Sequence, residues 1–207
     1  ESMILFKNEG GALPLNASEK IAIVGEFANS SGLQSGGWSI NWQGTVDNYA
    51  GATNIKTAIQ KVAPNAEFAE AGCYDSMDAD KAVVVVGETP YAEFMGDTYN
   101  TDFNLWMTVP HQNLIKSCAE RNIQTIVILV TGRALAMESE MSISDAFVAA
   151  WYIGSEGDGV ADFLFGTDGF QPRGKTAYSW PKDITDLPLA PDAAHALFKF
   201  GDGMQQY

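Results

Sequence analysis

Val83-Val84-Val85-Val86-Gly87-Glu88-Thr89-Pro90-Tyr91-Ala92-Glu93 decides how this chain folds. Four consecutive valines read as a strand buried on both faces, as in a parallel sheet covered on each side. Gly87 and Pro90 stop that strand and turn the chain out into a loop. The loop carries two carboxylates, Glu88 and Glu93, with Tyr91 between them. Ligands of open α/β sheets bind beyond the carboxyl ends of the strands, so either glutamate is a candidate acid or base.

The same pattern recurs on both sides of this stretch. Ile21 to Gly25, Glu67 to Ala71, Ile123 to Val130, Ala146 to Trp151 and Thr176 to Trp180 read as further strands. Helical spacing is expected over Thr53 to Val62, with Thr53 as N-cap, over Pro110 to Asn122, and over Gly157 to Phe165. Strands alternating with helices predict an α/β fold with a mostly parallel sheet and helices on both faces. The loop from Phe27 to Gly44 and the loop after the valines both leave carboxyl ends, so they share one edge. Residues 21–181 form the expected domain, 1–20 a linker leading into it, and 182–207 an irregular tail packing on it.

Composition narrows the function. The chain has 207 residues, 46% hydrophobic and 18% charged, enough for one large α/β domain. A net charge of −14, from 26 acidic and 12 basic residues, disfavours nucleic acid as a partner. With two histidines and no metal-ligand spacing, no metal site is expected. Cys73 and Cys118 read either as one disulfide of an oxidising compartment or as two buried thiols. No apolar run reaches the roughly 20 residues of a membrane helix.

Most chemical alternatives fall away on inspection. Ser155 in Gly154-Ser155-Glu156-Gly157 lacks the glycine two residues earlier that a nucleophile elbow needs, and is read as a helix cap. Gly25-Glu26-Phe27 carries neither a dinucleotide fingerprint nor a P-loop. The carboxylates remain. A general acid must hold its proton near neutral pH, and burial beside an aromatic ring favours that. Glu93, with Tyr91 and Phe94 beside it, fits as a partly desolvated loop glutamate. Glu88, at the strand end, is read as a loop brace that bonds backbone amides. Trp38 and Trp42 lie in a Gly-rich polar loop and offer faces for stacking on sugar rings. Trp38 is expected to pack under its own loop and Trp42 to stay exposed.

Several segments in order resemble glycoside hydrolase family 3. They are Gly36-Gly37-Trp38-Ser39-Ile40-Asn41-Trp42-Gln43-Gly44, Val83 to Glu93 followed by Gly96-Asp97, Thr131-Gly132-Arg133-Ala134-Leu135, Ala149 to Gly157, Val160 to Gly166, Ser179-Trp180-Pro181 and Phe200-Gly201-Asp202-Gly203. Two positions depart from the family pattern: Asn41, where an acidic residue is common, and Gly201-Asp202-Gly203-Met204 in place of Gly-Tyr-Gly-Leu.

The resemblance implies a three-layer (α/β)6 sandwich with a six-stranded, mostly parallel sheet. It implies the second domain of a retaining, exo-acting β-glucosidase or exo-β-glucanase, packed on an amino-terminal (β/α)8 barrel. The barrel holds the nucleophile, so these residues alone are expected to be inactive. Glu93 stands in the position of the acid/base and Trp42 in that of one wall of the leaving-group subsite; Trp38 beside it is a second substrate-binding candidate. Glu88, Tyr91 and Asp97 are read as loop support. The implied partner is a β-glucan or β-glucoside oligosaccharide, no cofactor is called for, and the compartment is periplasmic or extracellular. Glycone choice rests with the barrel, so members acting on N-acetylglucosaminides or xylosides fit as well. A different class, a non-catalytic carbohydrate-binding or interaction domain, is the alternative.

Overall fold

The computed structural model describes residues 2–96 and 108–207. Its centre is a six-stranded sheet of β1 (Ile4–Asn8), β2 (Ile21–Val24), β3 (Glu67–Ala69), β4 (Lys81–Gly87), β5 (Gln124–Val130) and β6 (Ala146–Ala149). The spatial order is β1-β6-β5-β4-β2-β3. All neighbours run parallel except β1, which pairs antiparallel with β6. The helices are α1 (Ile55–Val62), α2 (Val109–Ala119), α3 (Glu138–Ser142) and α4 (Gly157–Phe165).

The valine strand is the middle of this architecture. All seven residues of β4 are buried, and it pairs with β5 along its whole length, from Lys81 opposite Gln124 to Gly87 opposite Val130. Alternate residues point to opposite faces of a strand. Val83 and Val85 therefore join a core with Ile126, Ile128, Ile55 and Ile59 of α1, and Val160, Phe163 and Leu164 of α4. Val84 and Val86 join a second core with Val127, Leu129, Ile115 of α2, Met137 and Trp180. Fully burying one such aliphatic side chain is worth about 1.5–3 kcal/mol. The sheet is thus a rigid platform sealed on both faces, the three-layer sandwich that the sequence implies.

Some assignments change. The segment at 1–20, expected as a linker, supplies β1, an edge strand of the sheet. Thr176 to Trp180 is not a sheet strand. The free edge of β6 is taken by β1, so the backbone of this run bonds to the tail instead. Trp180 pairs with Phe198, and Thr176 with Gly201 and Asp202. The tail is irregular apart from a short 3-10 turn at Ile184–Asp186, and Phe198 stacks on Phe6 with ring centroids 4.1 Å apart. Asn54, not Thr53, caps α1, its side chain accepting from the Thr57 amide at 2.9 Å. Ser155 caps nothing: Glu156 is the N-cap of α4, with no side-chain cap bond, and the Ser155 hydroxyl donates to Glu156.

Cys73 and Cys118 form a disulfide, with Cα atoms 5.0 Å apart. It ties α2 to the segment after β3. At the amino end of β4 the buried Lys81 donates to the carbonyls of Gly11 and Ala12, both at 3.0 Å, and pairs with Glu19 at 3.1 Å. These contacts lock the sheet at the end opposite the carboxylate loop.

Candidate active site

The carboxyl edge of the sheet carries two interlocked loops. One leaves β2 and contains Trp38 and Trp42; the other leaves β4 and contains Glu88 and Glu93. Gln43 joins them, accepting from the Ala92 amide at 2.9 Å and donating to the Ala92 carbonyl at 3.5 Å. Gly37 makes their approach possible: a Cβ there would lie 2.0 Å from the Tyr91 carbonyl oxygen. Trp42 and Glu93 are therefore each the direct chain neighbour of a residue in the bonded pair Gln43–Ala92. A cavity of about 350 Å³, lined by Gln43, Gly44, Thr45, Val46, Thr89 and Pro90, opens where the two loops meet.

Behind this rim lies a charged cluster. Both Nε and Nη2 of Arg133 donate to one oxygen of Glu88, at 2.9 and 2.6 Å. The other oxygen accepts from the Thr131 hydroxyl at 2.6 Å and from Tyr91 at 3.4 Å. Thr131 in turn accepts from the Arg133 amide at 3.2 Å. The Glu88 and Arg133 side chains are only 12% and 19% exposed, so their charges meet in a partly desolvated setting where charge-assisted bonds are strong. Glu88 is braced by side chains from the adjacent strand end, not by the backbone amides that the sequence suggests.

The same guanidinium lies over the Tyr91 ring, 4.8 Å from its centroid. Burial, followed by the nearby Glu88 charge, pushes the Tyr91 hydroxyl up to about 12. Tyr152, which follows β6, lies beneath, and burial raises its hydroxyl too. That hydroxyl is buried with no aligned hydrogen-bond partner. Gly132 leaves room for its ring; a Cβ there would sit 2.7 Å from Tyr152 Cε2.

Glu93 stands in another setting. It is exposed, opens the 3-10 turn Glu93–Gly96 and has φ 51°, a left-handed conformation uncommon for a residue with a side chain. The described residues do not supply the partial desolvation expected for it. Of the two tryptophans, Trp42 is exposed as expected, but Trp38 is exposed as well. Trp38 is the more exposed, at 68%, and Trp42 the less, at 46%. Trp38 and Ile40 both have positive φ, at 61° and 66°. The Trp38 amide donates to the Trp42 carbonyl at 3.0 Å, so this tight turn holds the Trp38 ring out of its own loop. The two indole centroids are 6.3 Å apart. Asp97 lies outside the described residues.

Arg133, Thr131, Gln43 and Tyr152 are the members of the edge that residue-by-residue reading did not assign. Their one local signal is position: Thr131, Arg133 and Tyr152 directly follow the carboxyl ends of parallel strands, the edge where Glu88 already stands, and Gln43 lies in the long loop that leaves β2 there. No helix among the described residues is long and apolar enough to cross a membrane, and no group of three or more potential metal ligands occurs among them.

Fold and edge together define an α/β sandwich domain with a carboxylate and tryptophan rim at the carboxyl edge of its sheet. The family model for the glycosyl hydrolase family 3 C-terminal domain matches residues 3–206, and the chain belongs to that family. An exo-1,3/1,4-beta-glucanase from a Pseudoalteromonas species superposes with a TM-score of 0.88 at 37% identity, over 98% of this chain and 27% of that one. A periplasmic beta-glucosidase of Salmonella typhimurium is 28% identical over 222 residues, covering 91% of this chain and 28% of its own. An exo-alpha-(1->6)-L-arabinopyranosidase of Bifidobacterium breve is 28% identical over 211 residues, 91% of this chain and 27% of that protein. The chain thus spans under a third of the length of these relatives.

Proposed function

We infer that this chain is the acid/base-bearing domain of a retaining, exo-acting β-glucosidase or exo-β-glucanase, which removes terminal β-D-glucosyl residues. The observation that carries this reading is the Gln43–Ala92 pair, which sets the chain neighbours Trp42 and Glu93 at one rim of the sheet. A carboxyl group and an aromatic wall side by side are what a leaving sugar needs. The ring stacks on the indole while its glycosidic oxygen meets the acid.

Retaining hydrolysis uses two carboxyl groups about 5–5.5 Å apart. In the first step the nucleophilic carboxylate attacks the anomeric carbon, the bond to the glycosidic oxygen breaks, and the Glu93 carboxyl gives that oxygen its proton. In the second step the Glu93 carboxylate takes a proton from water, whose oxygen displaces the nucleophile from the anomeric carbon. The nucleophile is assigned to a (β/α)8 barrel packed against this edge. That barrel and the bound sugar also supply the cover that the described residues leave off Glu93. The exposed Trp38, Ile40, Trp42 and Val46 form an apolar surface suited to such packing. Glycone selection follows from the barrel, in keeping with an arabinopyranosidase among the relatives. The disulfide and the periplasmic relative support a periplasmic or extracellular site of action.

The test is Glu93→Gln in the full-length enzyme. Hydrolysis of β-linked glucose disaccharides should nearly vanish, while aryl glucosides with acidic leaving groups should lose far less in the glycosylation step. Near wild-type turnover of disaccharides would remove Glu93 from the role. A polypeptide of these 207 residues alone should not cleave a chromogenic β-glucoside. Cleavage by it would place both carboxylates within this chain.

A further inference from the structure

Three separate points of the loop that leaves β4 converge on one guanidinium. At the loop's start, Glu88 accepts from Nε and Nη2 of Arg133. In its middle, the Tyr91 ring stacks under the guanidinium carbon. Beyond Glu93, the Gly96 carbonyl accepts from Nη1 at 2.7 Å. Arg133 itself is anchored outside the loop, just beyond β5, where Thr131 accepts from its amide. Glu93 lies between two tethers, the Ala92 bonds to Gln43 on one side and the Gly96 bond to Arg133 on the other. Its left-handed backbone has to be maintained by what holds the residues around it.

We propose that Arg133 is a positioning residue for the general acid: its planar fork fixes the loop on both sides of Glu93, which it aims at the glycosidic oxygen. The proposal rests on Glu93 being that acid and adds the device that orients it. Only an arginine fits the geometry. Its guanidinium offers five donors in a fixed plane and a flat face for an aromatic ring. A lysine presents one compact charge. It could stay near Glu88 but could not bond the Gly96 carbonyl and cover Tyr91 as well.

The consequence is specific to chemistry that needs the acid. A small displacement of a catalytic group can cost about 10²-fold in rate. In the full-length enzyme, Arg133→Ala should lower kcat on β-linked glucose disaccharides by about that factor, with a smaller change in KM. On dinitrophenyl β-glucoside, whose leaving group departs without a proton, the glycosylation step should fall less than about tenfold. Arg133→Lys should resemble Arg133→Ala and not the wild type. Added guanidinium ion at millimolar concentration should restore part of the disaccharide activity of Arg133→Ala. Should Arg133→Ala fail to fold, Arg133→Lys carries the same comparison, because it keeps the charge facing Glu88.

Equal losses on both substrates would mean a general structural role and overturn the proposal, as would unchanged kcat on disaccharides. Glu93→Gln measured in parallel separates the two levels. An inactive Glu93→Gln beside an Arg133 variant with no leaving-group dependence ends the positioning role alone. An active Glu93→Gln ends the acid assignment and the positioning role with it.

Discussion

Glu88 and Glu93 lie five positions apart in one loop, and the chain treats them in opposite ways. Glu88 is almost enclosed, with a guanidinium, a threonine hydroxyl and a tyrosine around it. Glu93 is exposed on a left-handed turn at the rim, next to the contact with the tryptophan loop. A carboxylate whose oxygens all face protein donors has no lone pair aimed at a substrate, and pulling it away would leave buried donors unpaired. An exposed one, on a loop fastened at its base, can exchange protons with whatever is brought to it. The floor of the edge is built for rigidity and its rim for encounter.

The difference can be broken by exchanging what is measured at each position. Glu93→Ala in the full-length enzyme should cost about 10³-fold in disaccharide turnover, within the range for a lost general acid. The same change should leave stability within about 0.5 kcal/mol, as for an ordinary surface site. A Glu93→Ala protein that is markedly less stable in urea would place Glu93 in the floor.

The disulfide belongs to the floor as well. Replacing Cys73 and Cys118 together by serine should lower unfolding free energy by about 2–4 kcal/mol, since the bridge closes a long loop in the unfolded chain. Turnover at moderate temperature should be little changed, and activity lost in proportion to Glu93→Ala would tie the bridge to the rim.

Glu88→Ala leaves Arg133 without its countercharge. Breaking a fully buried pair costs roughly 3–5 kcal/mol, and the remaining exposure here brings the expected loss to about 2–3 kcal/mol. Urea unfolding of Glu88→Ala and Glu93→Ala side by side measures the contrast. Equal stabilities would erase it.

Alkali offers a gentler probe. Tyr91 has its hydroxyl pushed up to about 12 by burial and by Glu88, and burial pushes Tyr207 up to about 12; the Tyr152 hydroxyl is raised by burial too. In each case the folded protein holds the phenolic proton more tightly than the unfolded chain, whose tyrosines titrate near 10. Their contribution to stability is therefore complete below about pH 10 and is lost as pH rises toward about 12. Melting temperature and tyrosinate absorbance followed together should show this loss, with Tyr91→Phe reducing it. A flat stability curve across that window would contradict the buried setting of these rings.

The smallest effect is expected at the outer rim. Trp42→Ala should raise KM severalfold for oligosaccharides and less for aryl glucosides. An unchanged KM for disaccharides would take Trp42 out of the substrate wall.

Much of the sheet could be read directly. Runs such as Val83 to Val86 and Ile126 to Val130 are too apolar and too short to be anything but buried strands, and their helices followed from spacing. β1 was not legible, because Ile4-Leu5-Phe6 matches an element end as well as an edge strand, and its partner β6 lies some 140 residues away. Thr176 to Trp180 departs from expectation for the complementary reason: its composition suits a strand, but β1 already fills that edge. α3 is a five-residue helix of Glu138-Ser139-Glu140-Met141-Ser142, without a periodic apolar face to announce it.

At the site, local reading separated the two glutamates but missed what separates them. Arg133 and Thr131 are 45 and 43 residues from Glu88. Only the parallel pairing of β4 with β5, which sets Gly87 beside Val130, brings them together. Trp42 is exposed as its loop suggests, but Trp38 is exposed too, because its exposure depends on the positive φ of Trp38 and Ile40. No propensity of tryptophan or isoleucine predicts that backbone conformation.

The central claim is that Glu93 is the proton carrier of a two-carboxylate, retaining enzyme. Glu93→Ala in the full-length protein, given a dinitrophenyl β-glucoside and sodium azide, tests it most directly. The glycosyl-enzyme should form without the acid and then stall for lack of a base. Azide, a nucleophile that needs no proton removed, should restore turnover and yield β-glucosyl azide. Full activity without azide, or a stalled enzyme that azide leaves unchanged, would contradict the account.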